Sequence, residues 1–464
     1  MAYEIKYRSE DEMKDSGIEW LGKIPEDWGV SRIKDTASNK YKSFVDGDWI
    51  ESNFITEDGI RLIQTGNIGV GKYREQGYRY ISDRTFKTLN CTEVFENDIL
   101  ICRLAEPVGR ACLAPKMEVR MITSVDVCIL KPNIFAFNEY LVYALSNQLY
   151  LDYANMIARG GTRQRISRSQ LGDIKIPIGQ LIDQQKIANF LDIKTSEFDS
   201  IISKKEQLIE KLEEAKKSLI SEVVTGKVKI VDGELVEREP EEMKDSGVEW
   251  LGMIPKDCEV KRINLITSNV GDGLHGTPIY EEGTKYFFIN GNNLRNGKII
   301  IDSSTKEVEK KEYNKYKKNL SENTILMSIN GTIGNLAMYN GEKIILGKSA
   351  AYINLLKNIN IQFIYYYFQS KEIEIYFNRS MSGTTINNLS LATIRKTSVV
   401  LPREEEMSYI VGYLDKRTSE LELIIAKTKQ QITKLKEAKQ SLISEAVTGK
   451  IDLRDWEIIE SGGR

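Results

Sequence analysis

The sequence predicts an α+β chain built twice over: two mixed α/β modules, joined by two long helices that pair as a coiled coil. Three observations carry this. The ending SLISEVVTGKV at residues 218–228 returns as SLISEAVTGKI at 441–451, an offset of 441 − 218 = 223 residues. The string MKDSGIEWLG at 13–22 returns as MKDSGVEWLG at 243–252, an offset of 243 − 13 = 230. Between these near-identical stretches lie two segments that resemble each other far less. An internal repeat of this length governs any other reading of the chain.

In chain order the unit is opening segment, variable module, long helix. Residues 1–29 form the first opening segment, in which Trp20 is expected to pack against the helical frame, as is Trp250 in the second. Residues 30–179 form module 1. Its short β-branched and aromatic runs, punctuated by Gly, Asn and Asp, read as strands, and residues 134–157 read as helical. Residues 180–227 form the first long helix, entered after Pro177 and closed by Gly226 as a C-terminal cap. Leu191, Phe198, Ile201, Leu208, Leu212 and Leu219 fall at heptad-like spacing, the pattern of a coiled-coil seam. About 40 residues make a rod of roughly 60 Å. Residues 228–259 hold a short acidic connector and the second opening segment. Module 2 spans 260–402, with residues 361–378 helical. The second long helix spans 403–450, with Leu414, Leu421, Ile424, Leu435 and Leu442 at the repeated seam positions and Gly449 at its end. A tail covers 451–464. Neither helix buries its stripe alone, so each is the other's natural partner.

Composition narrows the function. The 464 residues carry a net charge of −2 and 41% hydrophobic residues, which suits a globular protein. No apolar run approaches the roughly 20 residues of a membrane helix, and the start MAYEIKYRSEDEMKD has no apolar signal core. These features predict a cytoplasmic protein with no membrane partner. The five cysteines (Cys91, Cys102, Cys112, Cys128 and Cys258) form no C-x-x-C pair and read as buried free thiols. Charge is segregated: residues 30–176 hold 20 Lys+Arg and 17 Asp+Glu, and residues 260–400 hold 18 and 11. Two basic modules therefore sit on an acidic frame.

Nothing in the chain reads as catalytic. The stretch Gly66 to Lys72 fits G-x-x-x-x-G-K but ends in Tyr73, where a phosphate loop needs Ser or Thr. It reads better as a hairpin turn. The single histidine, His275, excludes a multi-histidine metal site, and no metal-ligand cluster or methyltransferase motif is present.

The sharpest chemical feature is residues 159–168, RGGTRQRISR, with four arginines and no acid. Arginine pairs bidentately with guanine and glutamine with adenine, while hydroxyls contact phosphate. The matching loop of module 2, residues 380–388, replaces arginine by Thr and Asn. The stretch 166–171 is aligned with 386–391. Candidate DNA-binding residues in module 1 are Gln64, Asn67, Arg103, Arg110, Arg159, Thr162, Arg163, Gln164, Arg165 and Arg168. In module 2 they are Asn290, Asn292, Asn293, Ser328, Asn330, Thr332, Thr384, Thr385 and Asn387. The loops at 103–110 and 328–334 are read equally well as structural turns, and the arginine loop also admits the plainer reading of a solvated basic surface.

These motifs in combination resemble the DNA-specificity subunit of a Type I restriction–modification enzyme. The resemblance rests on the opening strings GIEWLGKIPEDW and GVEWLGMIPKD, the module end at 166–177, the run DQQKIANFLD at 183–192 and the helix ending in TGK. The second copy departs at residues 403–407, REEEM, and at Cys258, which stands where the first copy has Trp28. The resemblance implies two target-recognition domains and two conserved helices forming an antiparallel coiled coil with a pseudo-two-fold internal repeat. It implies double-stranded DNA as ligand, with each domain reading half of a bipartite asymmetric site. It further implies two methyltransferase subunits that use S-adenosylmethionine to modify adenine, and restriction or motor subunits driven by ATP with magnesium. This chain would bind no cofactor and perform no catalysis. A stand-alone nuclease or methyltransferase with an unrecognised site, or a structural coiled-coil scaffold, are the alternatives that the residues alone leave open.

Overall fold

The computed structural model of the chain describes residues 5–39, 41–104, 106–160, 163–381 and 388–457. They form two compact units, Met1–Lys205 with Gln430–Arg464, and Glu206–Lys429. Each unit holds one opening segment, one module and parts of both long helices, Leu181–Val224 and Glu404–Val447, which have 44 residues each.

In the first unit the opening segment is a hairpin, with Met13–Asp15 paired antiparallel to Lys23–Pro25. Module 1 opens on strand Gly29–Arg32 and closes on Lys175–Ile178, and these two strands pair with each other. Between them lies an antiparallel sheet in the order Ala111–Leu113, Ile99–Cys102, Val127–Leu130, Phe44–Asp46. A second sheet carries the parallel pair Met121–Thr123 with Ile60–Ile63. The expected helix over 134–157 is two helices, Asn138–Ala144 and Gln148–Ile157. The break has a local cause: Asn147 accepts a hydrogen bond from the Leu149 amide and starts a new helix.

The second unit repeats the plan. Met243–Asp245 pairs with Met253–Pro255, and Glu259–Arg262 pairs with Ser398–Leu401. The sheet order is Thr267–Asp272, Ala350–Leu355, Thr324–Ser328, Leu336–Met338, with Phe287–Ile289 parallel to Ile344–Leu346 alongside. Ser370 caps the second of its two helices, Ile361–Tyr367 and Lys371–Ser380.

Each module is tied to a long helix by the same three side chains. Tyr143 donates to Asp192 at 2.6 Å and lies 3.2 Å from Thr195. In the other unit Tyr366 donates to Asp415 at 2.6 Å and lies 3.2 Å from Thr418. All three positions repeat at the offset of 223. Trp20 and Trp250 border the cores that the modules share with the long helices, and each also stacks on an aromatic ring of its module. Trp20 stacks on Tyr153 with centroids 5.5 Å apart, and Trp250 on Tyr376 at 4.7 Å. Stacked aromatic pairs add about 0.5–1.5 kcal/mol beyond the area they bury. The prolines of the opening segments take the helix ends. A Cβ on Gly449 would stand 2.5 Å from Pro25, and one on Gly226 would stand 2.4 Å from Pro255. Both glycines also adopt the left-handed conformation of a helix cap. The 228–242 connector is a hairpin, Val228–Val231 with Glu234–Glu237.

Within each unit the long helices run antiparallel. In the first, Asp199 meets Lys439 at 2.7 Å and Lys205 meets Gln431 at 2.7 Å. In the second, Glu213 meets Lys429 at 3.4 Å and Lys216 ion-pairs with Glu422. The seam differs in register from the sequence expectation. Ile201, Leu208 and Ile424 are 44%, 43% and 45% exposed, whereas their neighbours Ile202, Ile209 and Ile425 are buried. One heptad line runs Ala188, Thr195, Ile202, Ile209, Lys216, Val223. The other runs Leu191, Phe198, Lys205, Leu212, Leu219. A line from 198 can step to 201 or 202 before reaching 205. Thr195 is buried, so the line it belongs to selects 202 and 209. In the second helix Leu414 and Leu442 are buried, and Leu421 and Leu435 half-buried, on the corresponding line.

Candidate nucleic-acid interface

In module 1 backbone pairing brings five separated stretches to one place. The turn Thr65–Asn67 follows strand Ile60–Ile63. Ser124 donates its amide to Ile63 and Asp48 donates to Thr123, each at 2.9 Å. Arg159 and Arg165 exchange both backbone hydrogen bonds, at 2.9 and 2.8 Å, which closes the arginine stretch into a hairpin. Gly160 is required there: its φ is +127°, and a Cβ would lie 2.4 Å from the Arg163 carbonyl. Leu104 bridges to Arg165 from the other side. Gln64, Gln76, Leu104, Ser124 and Asp126 line the resulting cavity of about 530 Å³.

The predicted readers divide sharply. Arg103 is 5% exposed and spends its guanidinium inside: Nε lies 3.0 Å from Asp46, Nη2 donates to the Val125 carbonyl at 2.7 Å and Nη1 to Ile166 at 3.3 Å. Arg110 is 8% exposed and donates to the carbonyls of Ile68, Thr65 and Pro107 at 2.7, 2.9 and 3.0 Å. Both are struts that hold the loops, not base readers. Asn67 is buried as well. Its Oδ1 accepts from the Gln64 amide at 2.8 Å, and its Nδ2 donates to the Arg74 and Gln76 carbonyls, so both amide protons are spent inside the fold. Arg168 lies 3.6 Å from Asp46 and donates to the Phe44 carbonyl. Arg159 and Arg163 are exposed, Gln164 is half-buried and Gln64 half-buried at the cavity. Arg165 is half open, with Nη2 2.7 Å from Asp126 Oδ1. Thr162 lies outside the described residues.

Module 2 keeps the framework and changes the side chains. Asn293 accepts from the Asn290 amide at 3.0 Å and donates to the Ile300 carbonyl at 3.2 Å, capping its own turn as Asn67 does, but it is half-buried and not fully enclosed. Ser328 is fully buried and donates to the Thr332 carbonyl, a correction of the same kind. Asn290 Oδ1 accepts from Ser349 at 3.0 Å. Asn292 and Thr332 are exposed and Asn330 is half-buried. Asn330 bridges to Asn388 as Leu104 bridges to Arg165. With 388 − 165 = 223, the equivalent of Ile166 is Leu389, three residues beyond the sequence alignment with Ile386. Thr384, Thr385 and Asn387 lie outside the described residues. Two positions escaped the sequence reading: Asp126, whose carbonyl oxygen takes the Arg103 amide at 2.8 Å, and Ser349, whose carbonyl takes the Ile329 amide at 3.0 Å. A lone acid in TSVDV and a lone serine in GKSAA carry no motif; only the shared bridge marks them.

All five cysteines are buried. Burial pushes the Cys91 thiol up to about 11 and Cys112 and Cys258 up to about 12, so they stay protonated at neutral pH. Among the described residues no group of three or more His, Cys, Asp or Glu is placed to hold a metal ion, and no helix is long and apolar enough to cross a membrane.

The pattern of the Type I restriction modification DNA specificity domain matches residues 25–214 and again residues 258–434. The chain belongs to this Type I DNA-specificity family. The Type I restriction enzyme MjaIX specificity subunit of Methanocaldococcus jannaschii is 26% identical over 98% of this chain and 100% of its own. The EcoKI specificity subunit of Escherichia coli is 20% identical over 93% and 90%. A solved chain from work on complex assembly and conformational transition of the type I R-M system shares the fold. Its TM-score is 0.60 at 15% identity, covering 91% of this chain and 98% of that one. As a Type I specificity subunit the chain is the DNA-recognition component of its system, and it works in a complex with restriction–modification subunits.

Proposed function

We propose that the chain reads a bipartite, asymmetric double-stranded DNA site, one half per module, and performs no chemistry itself. Two methyltransferase subunits, using S-adenosylmethionine, modify adenine at the site. Restriction subunits that need ATP and magnesium act from it, and the assembly works in the cytoplasm. One observation carries this reading. The same backbone bridge, turn and cap recur in both modules, while the side chains presented differ: Leu104, Asp126 and Arg165 in one, Asn330, Ser349 and Asn388 in the other. A framework kept alike beneath unlike polar groups suits two readers of unlike sequences. The net positive modules supply the sequence-independent attraction to phosphate.

The test is expression of the chain with its methyltransferase subunit and mapping of methylated adenines across a genome. A single two-part motif with an unread spacer is expected. Methylation or cleavage by the purified chain alone, or methylation with no two-part motif, would overturn the reading.

A further inference from the structure

A base reader must be open to the groove, held in place and left with unspent donors for a base edge. Arg103 and Arg110 fail the first condition, and Arg168 is drawn back to Asp46 and the Phe44 carbonyl. Arg159 and Arg163 are open, but no acceptor among the described residues orients them. Arg165 meets all three. Its backbone is hydrogen-bonded to Arg159 in both directions and bridged to Leu104. Its side chain is 50% exposed, and one Nη lies within ion-pair distance of Asp126 Oδ1, 2.7 Å. Asp126 is itself anchored, because its carbonyl takes the Arg103 amide and Val127 donates to Ser124 at 2.9 Å. A guanidinium held by one nitrogen keeps an edge for the O6 and N7 of guanine, without the cost of ordering a long side chain on binding. In module 2 the corresponding bridge presents Asn388, exposed, with neutral Ser349 where Asp126 stands. A carboxamide matches the N6 and N7 edge of adenine.

We propose that Arg165, presented by Asp126, reads a guanine in the half-site of module 1, and that Asn388 at the equivalent bridge reads an adenine in the half-site of module 2. This rests on the proposed two-part reading of DNA.

The experiment uses the chain co-purified with its methyltransferase subunits and a randomised double-stranded DNA library, with the bound fraction sequenced. R165Q should lose guanine preference at one position of one half by roughly ten-fold or more and leave the other half intact. R165K should relax the same position, because lysine lacks the bidentate fork. D126N should relax it less. N388A should relax one adenine position in the other half. A two-part motif left intact by R165Q, or binding weakened equally for all sequences, would sink the guanine assignment while leaving the two-part reading standing. A motif left intact by N388A would sink the adenine assignment in the same way. A wild-type complex that selects no two-part motif defeats the underlying reading and the assignment together.

Discussion

Arg103 and Arg163 carry the same guanidinium in the same module, but one is enclosed and the other meets water. Removing Arg103 leaves the Val125 and Ile166 carbonyls without the donor it supplies, and leaves Asp46 with Arg168 as its cation. Leaving buried acceptors without a donor costs about 1–3 kcal/mol. R103A should therefore lower the urea midpoint of unfolding clearly, and recognition fails only as the module loosens. R163A should leave stability within about 0.5 kcal/mol, as for an exposed side chain. It should instead reduce the salt slope of DNA binding by about one. Equal stability losses in the two variants would refute the division into buried strut and exposed phosphate contact. The sequence displays every arginine but not its burial, which is set by Asp46, far away in the chain. Asn67 and Asn293 illustrate a signal that was available: an amide three residues after Gln64 or Asn290 is the spacing of a side chain that caps its own turn.

The long helices were legible as elements from their repeat and lack of proline, but their register was not. Ile201-Ile202 and Leu208-Ile209 are adjacent apolar pairs, and only the partner helix chooses between them. I202A should cost about 2–3 kcal/mol, as for a buried isoleucine, and I201A under about 0.5 kcal/mol. Thermal unfolding of the two variants decides, and the reverse order would restore the seam read from sequence. The connector was legible only as an acidic stretch. Its hairpin pair Val228 and Glu237 has a counterpart in the bridge between Ile451 and Tyr7. That clasp is reinforced by Arg454, 2.7 Å from both Glu12 and Asp452. The Arg454 guanidinium holds the Asp452 carboxyl down at about 2. A depressed carboxyl stabilises the fold above its unfolded value near 4 and loses that contribution as pH falls toward 2. Arg454 is 52% exposed, so solvent screening limits the contribution to about 1 kcal/mol. Wild type and D452N should thus differ in stability above about pH 4 and converge near pH 2. A gap that stays constant down to pH 2 would show that the clasp does not depend on this charge.

At the scale of the whole chain, the two units solve the same problem with separate cores. The buried set around Tyr140 and Leu191 belongs to the first, and the set around Tyr367 and Leu414 to the second. Module 1 leaves and rejoins its frame at paired strands, with Val30 opposite Pro177. A segment cut at residues 30 and 176 therefore has its ends side by side, while its helices share a core with Ile187, Phe190 and Leu191 of the frame. What the replacement must bring is the Tyr143 hydroxyl for Asp192 and the Tyr140 hydroxyl, which donates to the carbonyls of Pro177 and Val447. Both anchors sit on helices and not on the reading loops, so frame fit and base choice are carried by different residues of the exchanged segment. Exchange of residues 30–176 for the corresponding segment of a relative that keeps both tyrosines should yield a folded chain. Its methylation map should change in one half of the motif only. The same chimera with Tyr143→Phe should lose about 1 kcal/mol of stability, read by urea unfolding, and keep the new half-site unchanged. A chimera that altered both halves at once would mean that base choice is spread across the modules, against the separate cores seen here.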